Sequence, residues 1–485
     1  MQPFFQTGAL YTSDSPTKEG QRGVIIITRA DAGSAKMAII NPMNNDSPTN
    51  PYHLDGDVSV APFAGRQDAF GRLYGLTSDP GRQHAFLFLG RQGVGKTALL
   101  HALAALHNET AICPIIPLRD QEITHEAAWL LDLAQSVTAV LVERGFTLSR
   151  LSMIEAPGAD MRLWLDTVFL PHIFATIRPT RQLIFLFDDA DRLLLEIKTG
   201  TLPADLLTFF VELLKKYRQL QFVFTLDTEF EDQISEFGAL VSYQHMLRLG
   251  NLPMSDVKWL LTTPASGYYV VPDEVVGAAY RQTGGEPTLT QRFGYEFFRR
   301  WYDAPDLNVI TLDDVRKIAA RLYAELRGTL RNVWDRLGVN ERLALTAISG
   351  TLYDDPLTPL TPAALQAWLV ETDYPLDTTA INAALRGLEY RELITANPIT
   401  ITSEMMKTWL LDNARTINRA ALPKPERPPA ITRAAINPRV IRLLLLALAV
   451  LIIANVIAAV LVNNNRTIVV TGTPAPTVTL AQPGQ

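Results

Sequence analysis

The chain has 485 residues, a formal net charge of -6 and 47% hydrophobic residues. That length is more than one ordinary core needs and implies two or three domains, and the apolar fraction argues against a disordered chain. The negative balance argues against general nucleic-acid affinity, which needs basic surface to displace counterions. Its single cysteine, Cys113, cannot form an internal disulfide and sits in the apolar run Ala111 to Leu118, where a small buried hydrophobe is expected.

Residues 1–60 form an N-terminal segment of unknown role. Met1 to Leu10 has neither the basic start nor the long apolar run of a signal peptide. Gly23 to Thr28 and Ala35 to Ile40 can pair as a hairpin around Asp31-Ala32-Gly33, and Asn41 to Pro51 reads as a linker. No chemistry is read here.

Within 61–250, apolar runs alternate with helical patterns. The runs are Ala85–Leu89, Ile112–Leu118, Leu183–Phe187, Phe222–Leu226 and Met246–Leu249; helices are expected over Thr124–Glu143, Met161–Ile177 and Leu202–Tyr217. This alternation predicts an α/β parallel sheet covered by helices. Residues 251–330 follow as a small helical lid, read from Ser255 to Trp301. Residues 331–415 carry helices near Glu341–Ile348, Pro362–Val370 and Thr379–Tyr390 and a hairpin around Leu393–Ile401, the α+β winged-helix pattern.

Residues 416–439 are a basic, Pro-rich linker and 440–462 a transmembrane helix. Leu443 to Val462 contains one polar residue, Asn455. Twenty helical residues span about 30 Å, a bilayer core. Ala421 to Arg442 carries Lys424, Arg427, Arg433, Arg439 and Arg442 against Glu426, whereas the tail, 463–485, carries only Arg466. Positive charge stays inside, so the bulk of the chain is expected in the cytoplasm and the tail outside.

The chemistry lies in Gly90-Arg91-Gln92-Gly93-Val94-Gly95-Lys96-Thr97, a complete G-x-x-x-x-G-K-[ST] between an apolar strand and a helix that opens with Ala98. Its glycines let successive N–H groups face one phosphate, and the helix adds its positive end. Lys96 would neutralise β- and γ-phosphates, and Thr97 would offer its hydroxyl to Mg²⁺. The second half is Leu183 to Phe187 followed by Asp188, Asp189 and Asp191. Asp188 would hold Mg²⁺ through water and Asp189 would orient or deprotonate an attacking water. Asp189 or Asp191 serving only as a helix cap is the plainer alternative.

With these motifs the chain resembles the AAA+-related STAND class of P-loop ATPases. Pro62-Phe63-Ala64-Gly65-Arg66 is similar to the F-x-G-R box that borders the adenine, and Thr283-Gly284-Gly285-Glu286-Pro287 is similar to the G-x-P motif whose proline contacts the base. Asn340-Glu341-Arg342-Leu343 through Ile394 resembles the class's winged-helix domain, so the likeness covers about Asn50 to Leu411. It implies ATP with Mg²⁺ as cofactor; the residues themselves leave ATP and GTP open. It places a polar sensor at Thr225, or secondly Asp227, where a satisfied strand-end residue is an equal account. AAA+ motors carry Asp-Glu where this chain has Asp188-Asp189, which implies slow hydrolysis. Arg192, Arg218 and Arg292 are arginine-finger candidates by position alone.

The expectation is a membrane-tethered, slowly hydrolysing ATP switch in signal transduction, with an unknown protein partner on the lid or winged helix and a homo-oligomer left open. An oligomeric remodelling ATPase is the alternative. A DNA-binding regulator is disfavoured, since Trp334 to Asp412 holds five basic and eleven acidic residues, 5 - 11 = -6.

Overall fold

The computed structural model describes residues 24–30, 34–40, 48–54, 62–71, 84–146 and 160–416, the first two ranges by backbone alone. All belong to one unit ending at Asn418; the unit from Arg419 onward has no described residue. The expected linker beyond residue 416, the span Leu443–Val462, the tail, and the turn Asp31-Ala32-Gly33 therefore lie outside the described residues. Among the described residues no helix is long and apolar enough to cross a membrane.

β1 (Val24–Ala30) and β2 (Ser34–Ile40) pair antiparallel, as expected of a hairpin, with Val24 opposite Ile40. The main sheet is parallel throughout. Its strands are β3 (His84–Leu89), β4 (Ala111–Ile112), β5 (Ile115–Pro117), β6 (Gln182–Asp188), β7 (Leu220–Leu226) and β8 (Met246–Arg248), in the order β4-β6-β7-β3-β8 with β5 also on β6. The expected strand Ile112–Leu118 is thus two pieces flanking Cys113-Pro114. Pro114 has no N–H to give the ladder, and only its carbonyl is used, by Leu186 N at 2.9 Å. Cys113 is buried, and burial pushes its thiol up to about 12, so it behaves as packing.

Side chains alternate across the sheet, so each strand feeds two cores. Phe86, Phe88, Ile184, Leu186 and Val223 face one side, with α1 (Lys96–Leu106) over them. Leu87, Phe185, Phe187, Phe222 and Phe224 face the other, under α2 (Glu126–Glu143), α3 (Met161–Trp164), α4 (Leu170–Ile177) and α6 (Leu206–Lys216); α5 (Asp191–Thr199) follows β6 directly. β6 and β7 are buried along their whole length, as a central parallel strand requires. α2 begins two residues later than expected because His125 caps it, accepting from Ala128 N at 3.1 Å. Between α3 and α4 the helix widens into a π-turn, Leu165–Phe169, just before Pro171, which lacks an N–H.

Beyond the sheet, α7 (Met254–Thr262), α8 (Asp273–Thr283) and α9 (Pro287–Asp303) form the helical lid. A 24-residue helix absent from the expectations, α10 (Leu312–Asp335), follows behind a Thr311/Asp314 capping box and buries Val315, Ile318, Leu322, Leu326 and Leu330 along one stripe. Then come α11 (Val339–Asp354), α12 (Pro362–Glu371), α13 (Thr378–Tyr390), the hairpin β9 (Ile394–Ala396) and β10 (Ile399–Ile401), and α14 (Glu404–Asn413). Three helices and a hairpin occur in the expected order, with one more helix after them.

The end of the expected linker, Asn41 to Pro51, and the residues just after it are tied to the helices that follow the sheet. Asn50 Nδ2 donates to Tyr295 O at 3.1 Å, and the fully buried Tyr52 donates through its hydroxyl to Leu260 O at 3.0 Å. This seats residues 50–54 on the lid. Tyr52 packs on Gly294 of α9 so closely that a Cβ there would overlap its ring. Gly294→Ala should therefore destabilise the fold by about 1–3 kcal/mol through overpacking; an unchanged urea midpoint would show that the segment is not held there.

Candidate nucleotide-binding site

The glycine loop leaves β3 at Gly90, whose N–H donates to Leu226 O at 3.0 Å, and enters α1 at Lys96. Gly95 stands at the helix cap with φ 91°, and no side chain caps the first turn of α1. Its leading N–H groups are therefore available to an anion, on the positive end of the helix dipole. Gly93 has φ +82° and lies under the lid: a Cβ there would come 2.9 Å from Glu286 Oε1. A side chain at Gly93 would be strained and obstructed at once.

Asp188 ends β6 and is buried. Thr97 Oγ1 donates to its Oδ2 at 2.5 Å, and Thr225 Oγ1 donates to its Oδ1 at 2.7 Å. Thr225 also accepts from Asp189 N at 2.8 Å, so one buried hydroxyl fixes both aspartates. Asp189 has φ 54°, an unusual backbone for a non-glycine residue, which turns its carboxylate toward Arg119 Nε at 3.0 Å. Burial raises its carboxyl, the neighbouring Asp188 raises it further, and Arg119 and Lys96 pull it back. Lys96 donates to Gly90 O at 2.7 Å and stands 3.5 Å from Asp227 Oδ2. Asp227 also caps the following 3-10 turn, accepting from Glu229 N at 3.1 Å. The two sensor candidates thus sit in one site: Thr225 beneath the aspartates and Asp227 beside the lysine.

A cavity of about 280 Å³ opens above these groups. Of the residues singled out in the sequence, Phe63, Arg66, Gln92, Gly93, Val94, Gly95, Lys96, Thr97, Ala98, Asp189, Pro287 and Arg292 line it, and His53, Leu54, Arg119, Thr288 and Gln291 join them. Gly90 contributes its carbonyl to Lys96 from below. Gly65 packs on Asp256 and Leu252 rather than at the cavity, and Asp188 and Thr225 lie beneath it. Arg91 turns away: it donates to Asn251 Oδ1 and lines a separate cavity of about 470 Å³ between the loop, the lid, α10 and β9. Arg66 donates through Nη2 to Val94 O at 2.7 Å and Gly250 O at 2.6 Å, joining the F-x-G-R box to the glycine loop.

The finger candidates fare differently. Arg218 is exposed just before β7, at the end of the parallel sheet opposite the loop, so it cannot reach the site within one chain. Arg192 pairs with Glu196 on its own helix at 2.6 Å. Arg292 lines the cavity and stands 3.7 Å from Glu325. Arg119 was missed, although it follows the second strand, where parallel sheets place ligand-facing residues. Thr288 and Gln291 were missed as well; both lie within about one turn of Pro287 on α9.

The donor set suits Mg²⁺, since the Thr97 hydroxyl and Asp188 carboxylate converge as hard oxygens. Among the described residues no group of three or more His, Cys, Asp or Glu is arranged to hold a metal alone. A cation here would be completed by phosphate oxygens and water.

No protein-family model matches the chain, and no curated protein is detectably similar to it. Solved structures resemble it loosely. A Walker-type ATPase of Pyrococcus abyssi is 16% identical over 71% of this chain and 95% of its own, with a TM-score of 0.48. Cdc6p of Pyrobaculum aerophilum is 16% identical over 76% and 98%, TM-score 0.36. The RuvB Holliday junction branch migration motor of Thermotoga maritima is 14% identical over 71% and 94%, TM-score 0.36. Likenesses this loose assign no activity to this chain.

Thr225→Val keeps the shape and removes both hydrogen bonds, leaving Asp189 N–H buried and unpaired. It should cost about 1–3 kcal/mol in urea unfolding. A loss below about 0.5 kcal/mol would show that the hydroxyl does not hold the aspartates.

Proposed function

We propose that this chain is an AAA+-related P-loop ATPase of the STAND type, binding ATP with Mg²⁺ between the parallel sheet and the helical lid. The observation that carries the reading is the junction at Asp188, where Thr97 of the glycine loop and Thr225 of β7 meet one buried carboxylate. Bound Mg²⁺ would screen the charge between β- and γ-phosphates. Thr97 and Asp188 would hold it, Lys96 would leave Gly90 O for phosphate oxygens, and the first-turn amides of α1 would bind the rest.

Asp189 is the residue to receive a proton from the attacking water as the bond to the γ-phosphorus forms and that to the bridging oxygen breaks, giving ADP and phosphate. Arg119 holds the same carboxylate at 3.0 Å and so competes with water for it. That contact, with the short Asp189 side chain, supports slow turnover.

The switch reading draws on a link from the stretch between α13 and β9. Glu392, just before β9, accepts from Asn251 N at 3.0 and 2.8 Å, beside the Gly250 carbonyl held by Arg66. This contact supports a coupling between the helices and hairpin read as a winged helix and the nucleotide site, which suits ATP and ADP favouring different lid positions. The second reading is an oligomeric remodelling ATPase. The names of the structural neighbours stand nearer to it, without assigning it, and Arg218, on the wrong end for its own site, leaves room for an arginine from another subunit. A nucleic-acid partner is not part of either reading. We further propose membrane tethering through 443–462: the full chain should sediment with membranes and a chain ending at Ala420 should not, and equal solubility would remove the tether.

Steady-state ATP hydrolysis separates the readings. Slow turnover, constant per protein over a hundredfold concentration range, supports the switch; turnover that climbs with concentration supports the oligomer. The pH profile tests the base. Because Arg119 pulls the Asp189 carboxyl down, Arg119→Gln should let it rise, moving the acid limb of kcat to higher pH. An acid limb that stays put would separate Asp189 from proton transfer.

A further inference from the structure

The cavity that Arg91 lines, about 470 Å³, falls within the roughly 300–1,000 Å³ of small-molecule sites. Its chemistry differs from that of the nucleotide cavity: Gly95, Lys96, Thr97 and Ala98 line the first and not the second. Its apolar lining includes Leu326 and Leu330, from the buried stripe of α10, and Met406 of α14. Five arginines and four acids also line it, and the acids are largely spent on backbone N–H groups. Both oxygens of Glu392 accept from Asn251 N, Glu286 accepts from Thr288 N and Leu289 N, and Asp227 accepts from Glu229 N. Glu229 pairs with Arg336 at 3.2 Å. Arg91 and Arg248, by contrast, donate to uncharged oxygens, Asn251 Oδ1 and Tyr390 O. A guanidinium carries five N–H donors, and Arg248 is exposed, so its further donors can be reached from the cavity.

We propose that this cavity is a second ligand site, taking a small molecule that joins an apolar ring or chain to a carboxylate or phosphate. The apolar part lies on Leu326, Leu330 and Met406, and the anionic end on Arg248, with Arg91 as the second donor. The planar guanidinium fork matches either oxyanion with two parallel hydrogen bonds, which a neutral group does not receive at the same strength. A cationic ligand suits the site less, because the acids that would receive it already hold N–H groups. An occupant would touch the glycine loop at Arg91 and the turn before β9 at Glu392, which places an input to the switch beside the nucleotide cavity rather than in it. Binding at this site goes beyond the nucleotide reading and does not depend on it.

A thiol placed in the cavity tests this. Thr329 is exposed and lines the cavity, and the native thiol, Cys113, is buried. Thr329→Cys in the full chain therefore adds one reactive thiol, whose alkylation by N-ethylmaleimide reports occupancy. The probes are 1-naphthyl phosphate, 2-naphthoate and the uncharged 2-naphthamide. At least one of the anions should slow alkylation at a concentration about tenfold or more below that needed by the amide, and the stronger anion tells phosphate from carboxylate. Adding Arg248→Gln should bring anions and amide together, while Lys96→Ala or saturating ATP with Mg²⁺ should leave the protection in place. Equal protection by all three probes, or by none, would overturn the site. Protection that vanishes in Lys96→Ala or under ATP would put the probes in the nucleotide cavity and overturn it too. A preference for the anions that survives Arg248→Gln would overturn the role given to Arg248. Calorimetric titration of the unmutated chain with the same three probes makes the same comparison if the Thr329→Cys chain does not fold.

Discussion

The site is organised around one buried carboxylate. Asp188 accepts from Thr97 and Thr225 at once, and these hydroxyls belong to the glycine loop and to β7, the strand lying between β6 and β3. Any burial of a carboxylate is costly unless its oxygens are satisfied. Here each oxygen has a hydroxyl donor, and the register of three parallel strands is what brings the donors to it. The aromatic core below, with Phe187 and Phe224 stacked at 5.0 Å, holds that register. The glycine loop, Asp188 and Thr225 are thus positioned by packing in the sheet core.

The same loop is gripped from above. Thr288 donates to Gly93 O at 2.9 Å, and Glu286 sits against Gly93 while its carboxylate caps α9 by accepting from Thr288 N at 3.2 Å and from Leu289 N. Burial raises the Glu286 carboxyl, with Arg91 opposing. From the side, Arg66 joins the loop to Gly250, whose neighbour Asn251 is capped by Glu392. Burial pulls the Arg66 guanidinium down to about 10, against Glu392 and Asp256. Movement of the turn between α13 and β9 would withdraw Glu392 and with it one of the charges that favour the protonated arginine. Ser403, which donates to Gln282 O at 2.7 Å, ties the start of α14 to α8. Helices α7 to α9, the sheet and the stretch around Glu392 therefore meet at the flank of the glycine loop.

Much of this was legible in the sequence, for physical reasons that also mark its limits. Strands buried on both faces read as apolar runs, and acids at the end of such a run, Asp188 and Asp189, had to face the crevice. Local punctuation told less: Pro114 splits a strand whose apolar run looks unbroken, and α10 escaped notice despite its regular stripe. Asn50 and Pro51 looked like the end of a linker because the docking of Tyr52 onto Gly294 leaves no local pattern. The pairing of Arg119 with Asp189 is a long-range fact, set by tertiary contact. Arg91 shows the converse: a position inside the motif whose side chain points to a different cavity.

Calorimetric titration of the full chain with ATP, with and without Mg²⁺, beside Lys96→Ala, tests the central claim most directly. The account predicts saturable one-to-one binding that weakens about tenfold or more when Lys96 or the cation is removed, since each supplies charge to the phosphates. A folded chain that takes up no ATP, or a Lys96→Ala chain that binds it as tightly, would contradict the account.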